Sequence, residues 1–240
     1  MDWAVAVSKI TPFIVRIRTQ QKWGTGFMFW QNDKMCCVAT ANHVIEDANL
    51  EGWEQPIYID QPNGLSLRLN PESRRITSLN SENQGDSASI LFFKTNLQFP
   101  TYCLPLWDFG REIPIGTEVG WLGYPRVIDQ RILTPSFFSG PISNHFADLE
   151  QYAIDGSAIH GVSGGPLFCK GNKGGPHVIG TISSYFANRV AVSGGFVDWP
   201  GIAISHSFSA FVPVKKDLDA LNALEHDNTS HNPYKAPGCQ

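Results

Sequence analysis

Three short segments carry side chains whose types and spacing could do chemistry. The first is Gly161-Val162-Ser163-Gly164-Gly165-Pro166. A serine becomes a nucleophile when its hydroxyl is exposed beside a base and backbone N–H groups face the oxyanion that develops on its target. Glycines on both sides supply the backbone angles that aim those donors and leave room for a substrate main chain. The second is Thr40-Ala41-Asn42-His43-Val44, where a strand ends in a histidine, the side chain that exchanges a proton near neutral pH. The third is Gly85-Asp86-Ser87-Ala88-Ser89-Ile90-Leu91, a carboxylate just ahead of an apolar strand, placed for burial beside an imidazole N–H. Singly, each has an ordinary explanation: a glycine-rich turn, a surface histidine, an aspartate opening a strand. Together, in the order His, Asp, Ser, they supply a general base, a group that orients it and a nucleophile.

Composition says what must position them. The 240 residues include 22 glycines and 16 prolines, and only 17% are charged, against roughly 25% in ordinary soluble domains. That balance suits many short strands and tight turns and argues against a helical bundle. With 42% apolar residues the chain has the material for a core, so disorder as a whole is excluded. A net charge of −4 and a pI near 5.9 leave no electrostatic footprint for nucleic acid or an anionic membrane. No apolar run approaches the ~18 residues of a membrane span, and Met1-Asp2-Trp3-Ala4 lacks the basic start of a secretory signal. The five cysteines, at 36, 37, 103, 169 and 239, are odd in number and show no C-x-x-C spacing. They read as reduced thiols of a cytoplasmic protein, with neither a zinc cage nor a disulfide framework. No cofactor or metal is expected.

Residues 4–10 read as a short helix. Apolar alternation then predicts strands over 13–18, 24–30, 35–40, 57–60, 65–69, 75–79 and 90–93. A proline-punctuated stretch over 100–114 follows, then strands over 119–123, 131–134, 152–154, 167–169, 178–183, 189–193 and 202–204. One clear helix is expected over 215–226. The strand expected after Ser163 excludes the strand–serine–helix elbow of the α/β-hydrolase fold. The expected fold is all-β: two antiparallel six-stranded β-barrels packed with the active site between them, plus a C-terminal helix. Residues 1–107 would form the N-terminal barrel with His43 and Asp86, and 108–226 the C-terminal barrel with Ser163 and the helix. Residues 227–240 would be a disordered tail.

In this order the segments resemble trypsin-like serine peptidases of the chymotrypsin fold. The pattern is most similar to Deg/HtrA-type and intracellular trypsin-like peptidase domains. Besides the three segments above, Gly24-Thr25-Gly26-Phe27, Leu122-Gly123-Tyr124-Pro125, Val178-Ile179-Gly180 and Gly201-Ile202-Ala203-Ile204 follow in that family's order. The resemblance implies a serine endopeptidase with His43, Asp86 and Ser163 as triad and the Gly161 and Ser163 N–H groups as oxyanion hole. Ser183 would bond the triad carboxylate, and Ser183, Ser184 and Tyr185 would pair with extended substrate. Ser157, Gly201 and Ala203 would bound a primary pocket without charge, with Trp199 as a further wall. Protein or peptide substrates are then the partners, and a regulatory protein partner, an effector or narrow specificity would restrain the enzyme.

Departures from the secreted relatives are informative. Val162 stands where those relatives carry the aspartate that receives a freed N-terminus, and Val44 where they carry a half-cystine. Activation by that route and that disulfide are both excluded, and no PDZ-like segment is expected after the peptidase domain. His145, His160, His177, His206 and His226 lack metal-ligand spacing and are expected at the surface, His160 at the pocket rim. Two other readings use the same fold: a catalytically silent peptide-binding module, and an esterase with the same triad.

Overall fold

The computed structural model describes residues 2–79, 85–102, 104–107, 112–126, 133–171, 174–185, 188–193, 195–199 and 201–230; the side chains of 188–190, 192, 196–199 and 224–230 are not part of that description. A helix α1 (Trp3–Ile10) opens the chain, its first turn capped by the Asp2 carboxylate, which accepts from the N–H groups of Ala4 and Val5. Strands β1 (Ile14–Arg18), β2 (Trp23–Gln31) and β3 (Met35–Thr40) follow, and a single helical turn, α2 (Asn42–Ile45), leaves the end of β3. Next come β4 (Ile57–Asp60), β5 (Ser66–Leu69), β6 (Arg74–Ser78) and β7 (Ala88–Phe93). The second half holds β8 (Glu118–Gly123), β9 (Ser136–Phe146), β10 (Gln151–Ser157), β11 (Pro166–Lys170), β12 (Pro176–Tyr185), β13 (Asn188–Val192), β14 (Gly195–Trp199) and β15 (Ile202–Ser207), and α3 (Val212–Ser230) ends it.

Two β units with a C-terminal helix are thus borne out, with a difference in each half. Strands β10-β15-β12-β11-β8-β9 form a closed barrel, and β13 and β14 a separate hairpin. The first unit has seven strands, in the order β5-β4-β1-β2-β3-β7-β6, and its two edges do not pair into a closed barrel. The physical reason lies between β5 and β6. Pro71 sits in the 3₁₀ turn that joins them, and the buried Arg74 guanidinium occupies the seam. Its Nη1 donates to the carbonyls of Leu69 (2.9 Å) and Gln55 (2.8 Å), and its Nη2 to that of Ala48 (2.7 Å). The Leu69 carbonyl at the end of β5 thus takes its donor from a side chain of β6, where a closing ladder would have supplied a backbone N–H.

Most predicted strands lie where the alternation put them, Met35–Thr40 and Ile57–Asp60 to the residue. The strand expected over 131–134 is not found at 133–134, and 131–132 lie outside the described residues. The barrel takes the eleven-residue β9 instead. Helix α3 begins three residues earlier than expected and runs on through Ser230, so 227–230 continue it, while 231–240 lie outside the described residues. The first core packs Ile10, Phe13, Ile14, Ile17 and Phe27 against Val38, Ile45, Ile57 and Ile90. Phe208 and Phe211, just before α3, stack on each other and close on Phe29, and Trp30 Nε1 donates to Asp219 of α3 at 2.8 Å. The end of the chain is therefore strapped onto the first sheet. Cys36, Cys37 and Cys169 are free and buried; burial pushes the Cys37 and Cys169 thiols up to about 12. Cys103 and Cys239 lie outside the described residues. Among the described residues no helix is long and apolar enough to cross a membrane.

Candidate active site

His43 and Asp86 meet because β3 pairs with β7. Thr40 at the end of β3 lies opposite Ala88 at the start of β7. The chain leaves β3 through Ala41 in extended conformation and turns at once into α2, which carries His43. Asp86 stands just ahead of β7 on the neighbouring strand. Asn42 N–H donates to the Asp86 carbonyl (3.2 Å) and His43 N–H to Asp86 Oδ1 (2.7 Å). Asp86 Oδ2 is hydrogen-bonded to His43 Nδ1 and accepts from Ser183 Oγ at 2.8 Å. A carboxylate on Nδ1 requires the ring hydrogen there, which leaves Nε2 as the basic nitrogen. Burial acting alone would raise the Asp86 carboxyl. The His43 ring, its charge, the His43 backbone N–H and the Ser183 hydroxyl outweigh that and hold it below the usual carboxylate range.

Ser183 reaches Asp86 through a β-bulge. Ile182 pairs with Ser205 and Ser184 with Ile204, so Ser183 is an extra residue in the β12–β15 ladder. Such an insertion re-aims a side chain, here toward the carboxylate.

Ser163 lies in the turn between β10 and β11, and β2 of the first sheet clamps that turn. Thr25 N–H donates to the Ser163 carbonyl (2.7 Å), and Thr25 Oγ1 donates to the Gly161 carbonyl (2.7 Å) while accepting from Tyr124 N–H (3.0 Å). Gly161 and Gly164 have φ of 98° and 86°. A Cβ on Gly161 would meet the Tyr124 carbonyl at 2.1 Å, and one on Gly164 the Thr25 carbonyl at 1.9 Å. Only glycine fits either place. The N–H groups of Gly161 and Ser163 are bonded to no other described backbone group, which leaves both for an oxyanion. Ser163 and His43 line one cleft of about 180 Å³, together with Lys22, Trp23, Val44, Arg126, His160 and Gly161. The His43 side chain is 41% exposed and that of Asp86, behind it, 24%. Among the described residues no hydrogen bond joins Ser163 Oγ to His43; such bonds often tighten only around substrate.

The remaining predicted residues fall on two sides of Ser163. On β12, Ile182 is the last residue tied to the turn: Gly164 N–H donates to its carbonyl and its own N–H donates to Gly165. β11 reaches only Pro166, opposite Thr181. Among the described residues Ser183, Ser184 and Tyr185 therefore continue β12 with one edge unpaired, a place for an extended chain to add. Ser157 ends β10, exposed, opposite Ile202, and Ala203 is buried opposite Ile154. Between them Asp155 and Gly156 are bulged out of the ladder, with Asp155 exposed. Gly201 precedes β15 and is half-buried. The Trp199 side chain lies outside the described residues.

Three residues at the site escaped sequence reasoning. The expectation of a surface His206 is corrected: it is buried on β15, and its Nε2 accepts from Asp86 N–H at 3.4 Å. Burial lowers its pKa against the opposing pull of the Asp86 charge. Lys22 Nζ donates to the His43 carbonyl (3.1 Å) and pairs with Glu46 (2.6 Å). Thr25 is the third. His206 and Lys22 carry no local signal, and Thr25 stood in the Gly24–Phe27 segment of the family pattern without a role assigned to it.

No family model matches the sequence, and no curated protein does. Solved structures do match. A serine endoprotease from Yersinia pestis shares 22% identity with a TM-score of 0.61 over 91% of this chain and 66% of its own. The HtrA-type protease AlgW, solved with a tripeptide, shares 18% at a TM-score of 0.62, over 91% of this chain and 64% of its own. The chain thus spans about two thirds of the length of either. An M. tuberculosis protein, solved as a mutant in an inactive form, shares 18% at a TM-score of 0.55 over 99% of this chain and 97% of its own. What they share with this chain is the chymotrypsin-like fold of HtrA-type serine proteases.

Proposed function

We propose that the chain is a serine endopeptidase. Ser163 Oγ attacks the carbonyl carbon of a peptide bond while His43 Nε2 takes the hydroxyl proton, and the electron pair of the C=O bond moves onto oxygen between the Gly161 and Ser163 N–H groups. Collapse breaks the C–N bond, and the amine leaves with the proton from His43. Water then releases the acyl group from Ser163 by the same steps. Asp86 stays ionised throughout, fixes the His43 tautomer and stabilises the imidazolium.

One observation carries this reading. Asp86 receives hydrogen bonds from the His43 ring, the His43 backbone and Ser183, and the same imidazole opens onto the cleft that holds Ser163. Acyl-side substrate residues pair with the Ser183–Tyr185 edge. Ser157, Gly201 and Ala203 bound a pocket without charge, which suits an uncharged side chain of small or medium size, because a buried Lys or Arg would need a paired anion. The free thiols at 36, 37 and 169 fit a reducing, cytoplasmic setting.

The test is labelling with a fluorophosphonate, wild type against Ser163→Ala, coupled to mapping of new N-termini in a protein extract. Labelling at Ser163 with cleavage after uncharged residues is expected. Absence of labelling would leave a silent binding module, and turnover of esters with no peptide cleavage would leave an esterase.

A further inference from the structure

The cleft that holds His43 and Ser163 does not end at them. Lys22, Trp23 and Arg126 in its wall also line a second cleft of about 400 Å³, completed by Arg18, Thr19, Gln20 and Gln21 of the β1–β2 turn. Through these shared residues the two form one channel leading away from Ser163. Ser183, Ser184 and Tyr185 line neither part. In the peptidase reading, on which this inference rests, the acyl half of a substrate occupies the β12 edge. The amine half, which departs, then lies over the channel.

The channel is cationic. Arg18, Lys22 and Arg126 line it, and among the described residues no acidic side chain lines either part. Two of the cations are partly matched. Asp60 is shared between Arg16 (3.0 Å) and Arg18 (2.6 Å), so one carboxylate faces two guanidiniums. Lys22 pairs with Glu46, and the nearby Asp47 is held by Thr19 Oγ1 at 2.7 Å. Arg126 is exposed, and among the described residues its guanidinium bonds no acid. Its backbone is fixed by Arg126 N–H donating to the His160 carbonyl at 2.7 Å, so the side chain projects from an anchored point beside the oxyanion turn. A solvated rim would mix both signs along its lining; here Glu46 and Asp47 stand behind it, and the described lining residues themselves carry a single sign. Guanidiniums match carboxylates in a fork geometry that other charged groups do not.

We infer that the enzyme selects substrates carrying Asp or Glu in the first few residues after the scissile bond, with Arg126 as the principal contact and Arg18 and Lys22 behind it. Charged contacts of this exposure change rates modestly and are screened by salt. A preference of roughly tenfold in kcat/KM is therefore expected, shrinking at high ionic strength.

Two peptides with an identical uncharged acyl half test this, one continuing into three acidic residues and the other into three lysines. Wild type should cleave the acidic peptide roughly tenfold faster at low salt. Arg126→Glu should bring that ratio to one or below, and Arg126→Lys should keep most of it. Each ratio is internal to one variant, so loss of folded protein cancels. Equal rates on both peptides in wild type, or an unchanged ratio in Arg126→Glu, would overturn this inference while leaving the peptidase reading intact. Cleavage of neither peptide by wild type that also fails to take up a fluorophosphonate would overturn both.

Discussion

Thr25→Val isolates the clamp that holds the nucleophile turn against the first sheet. Valine keeps the shape and volume of threonine and removes only the hydroxyl, so no cavity is expected at this fully buried position. Two groups lose their partner at once: the Gly161 carbonyl, which accepts from Thr25 Oγ1, and the Tyr124 N–H, which donates to it. An orphaned buried polar group costs about 1–3 kcal/mol. With partial relaxation of the turn, a loss of about 2–4 kcal/mol is expected, a large part of the ~5–15 kcal/mol typical of a folded domain. The same change frees the Gly161–Val162 peptide, which joins the residues bearing the two oxyanion donors, so the Gly161 and Ser163 N–H groups lose part of their alignment. One such donor is typically worth ~10²–10³ in kcat, so peptide turnover should fall by at least about tenfold in protein that is still folded. Urea unfolding gives the first quantity. Turnover of an uncharged peptide, measured well below the unfolding midpoint, gives the second. Thr25→Ser restores the hydroxyl and should recover most of both. A Thr25→Val protein within about 0.5 kcal/mol of wild type and within twofold in kcat would refute the clamp.

Asp86→Asn should lower kcat by about 10⁴ through the wrong His43 tautomer. Asp60→Asn should chiefly cost stability, since Asp60 holds Arg16, Arg18 and Ser66; an equal loss of turnover in folded Asp60→Asn would show that the acid has been misassigned. A second expectation concerns pH. Burial depresses the His206 pKa below its ordinary 6.5, so the folded state binds that proton more weakly than the unfolded one. The stability held by neutral His206 is full above the unfolded value and is lost as pH falls through the folded one. Urea midpoints should therefore drop on acidification from about pH 7 to about pH 5 more steeply in wild type than in His206→Gln, whose carbonyl accepts from Asp86 N–H without titrating. Parallel curves would show that His206 is not buried neutral against the Asp86 turn.

The parts of this site that were legible in the sequence are those with local cause. His43 and Asp86 stand at the ends of strands whose alternation is plain, and Ser163 sits among glycines that its turn requires. The bulge that aims Ser183 at Asp86 leaves no local trace; only the family pattern pointed there. The roles of His206 and Thr25 were not legible, because they act on residues 120 and 136 positions away along the chain. Their roles come from strand pairing, and β15 is buried along most of its length, so alternation cannot say which way His206 faces. Strand β9 was missed for a different reason. Its Gly140-Pro141 pair and its Ser143 and Asn144 are residues more typical of turns than of strands, yet β8 and β10 pair along it on either side, and Gly140 lets the Asp155 carbonyl approach. Tertiary pairing overrides local propensity there.

The Arg74 seam has a bearing on how this chain behaves among its neighbours. An open sheet offers each of its outer strands as a template on which another polypeptide can add, the first step toward fibres. Here the two outer strands are consecutive in the chain, and one guanidinium caps the carbonyl of Leu69 at the end of β5 from the first residue of β6. Truncation to alanine would leave the carbonyls of Ala48, Gln55 and Leu69 without that donor and open both borders together. Arg74→Ala should then scatter light and bind amyloid dyes under conditions in which the parent chain remains dispersed. A residue remote from the catalytic cleft thus guards the molecule against its own kind.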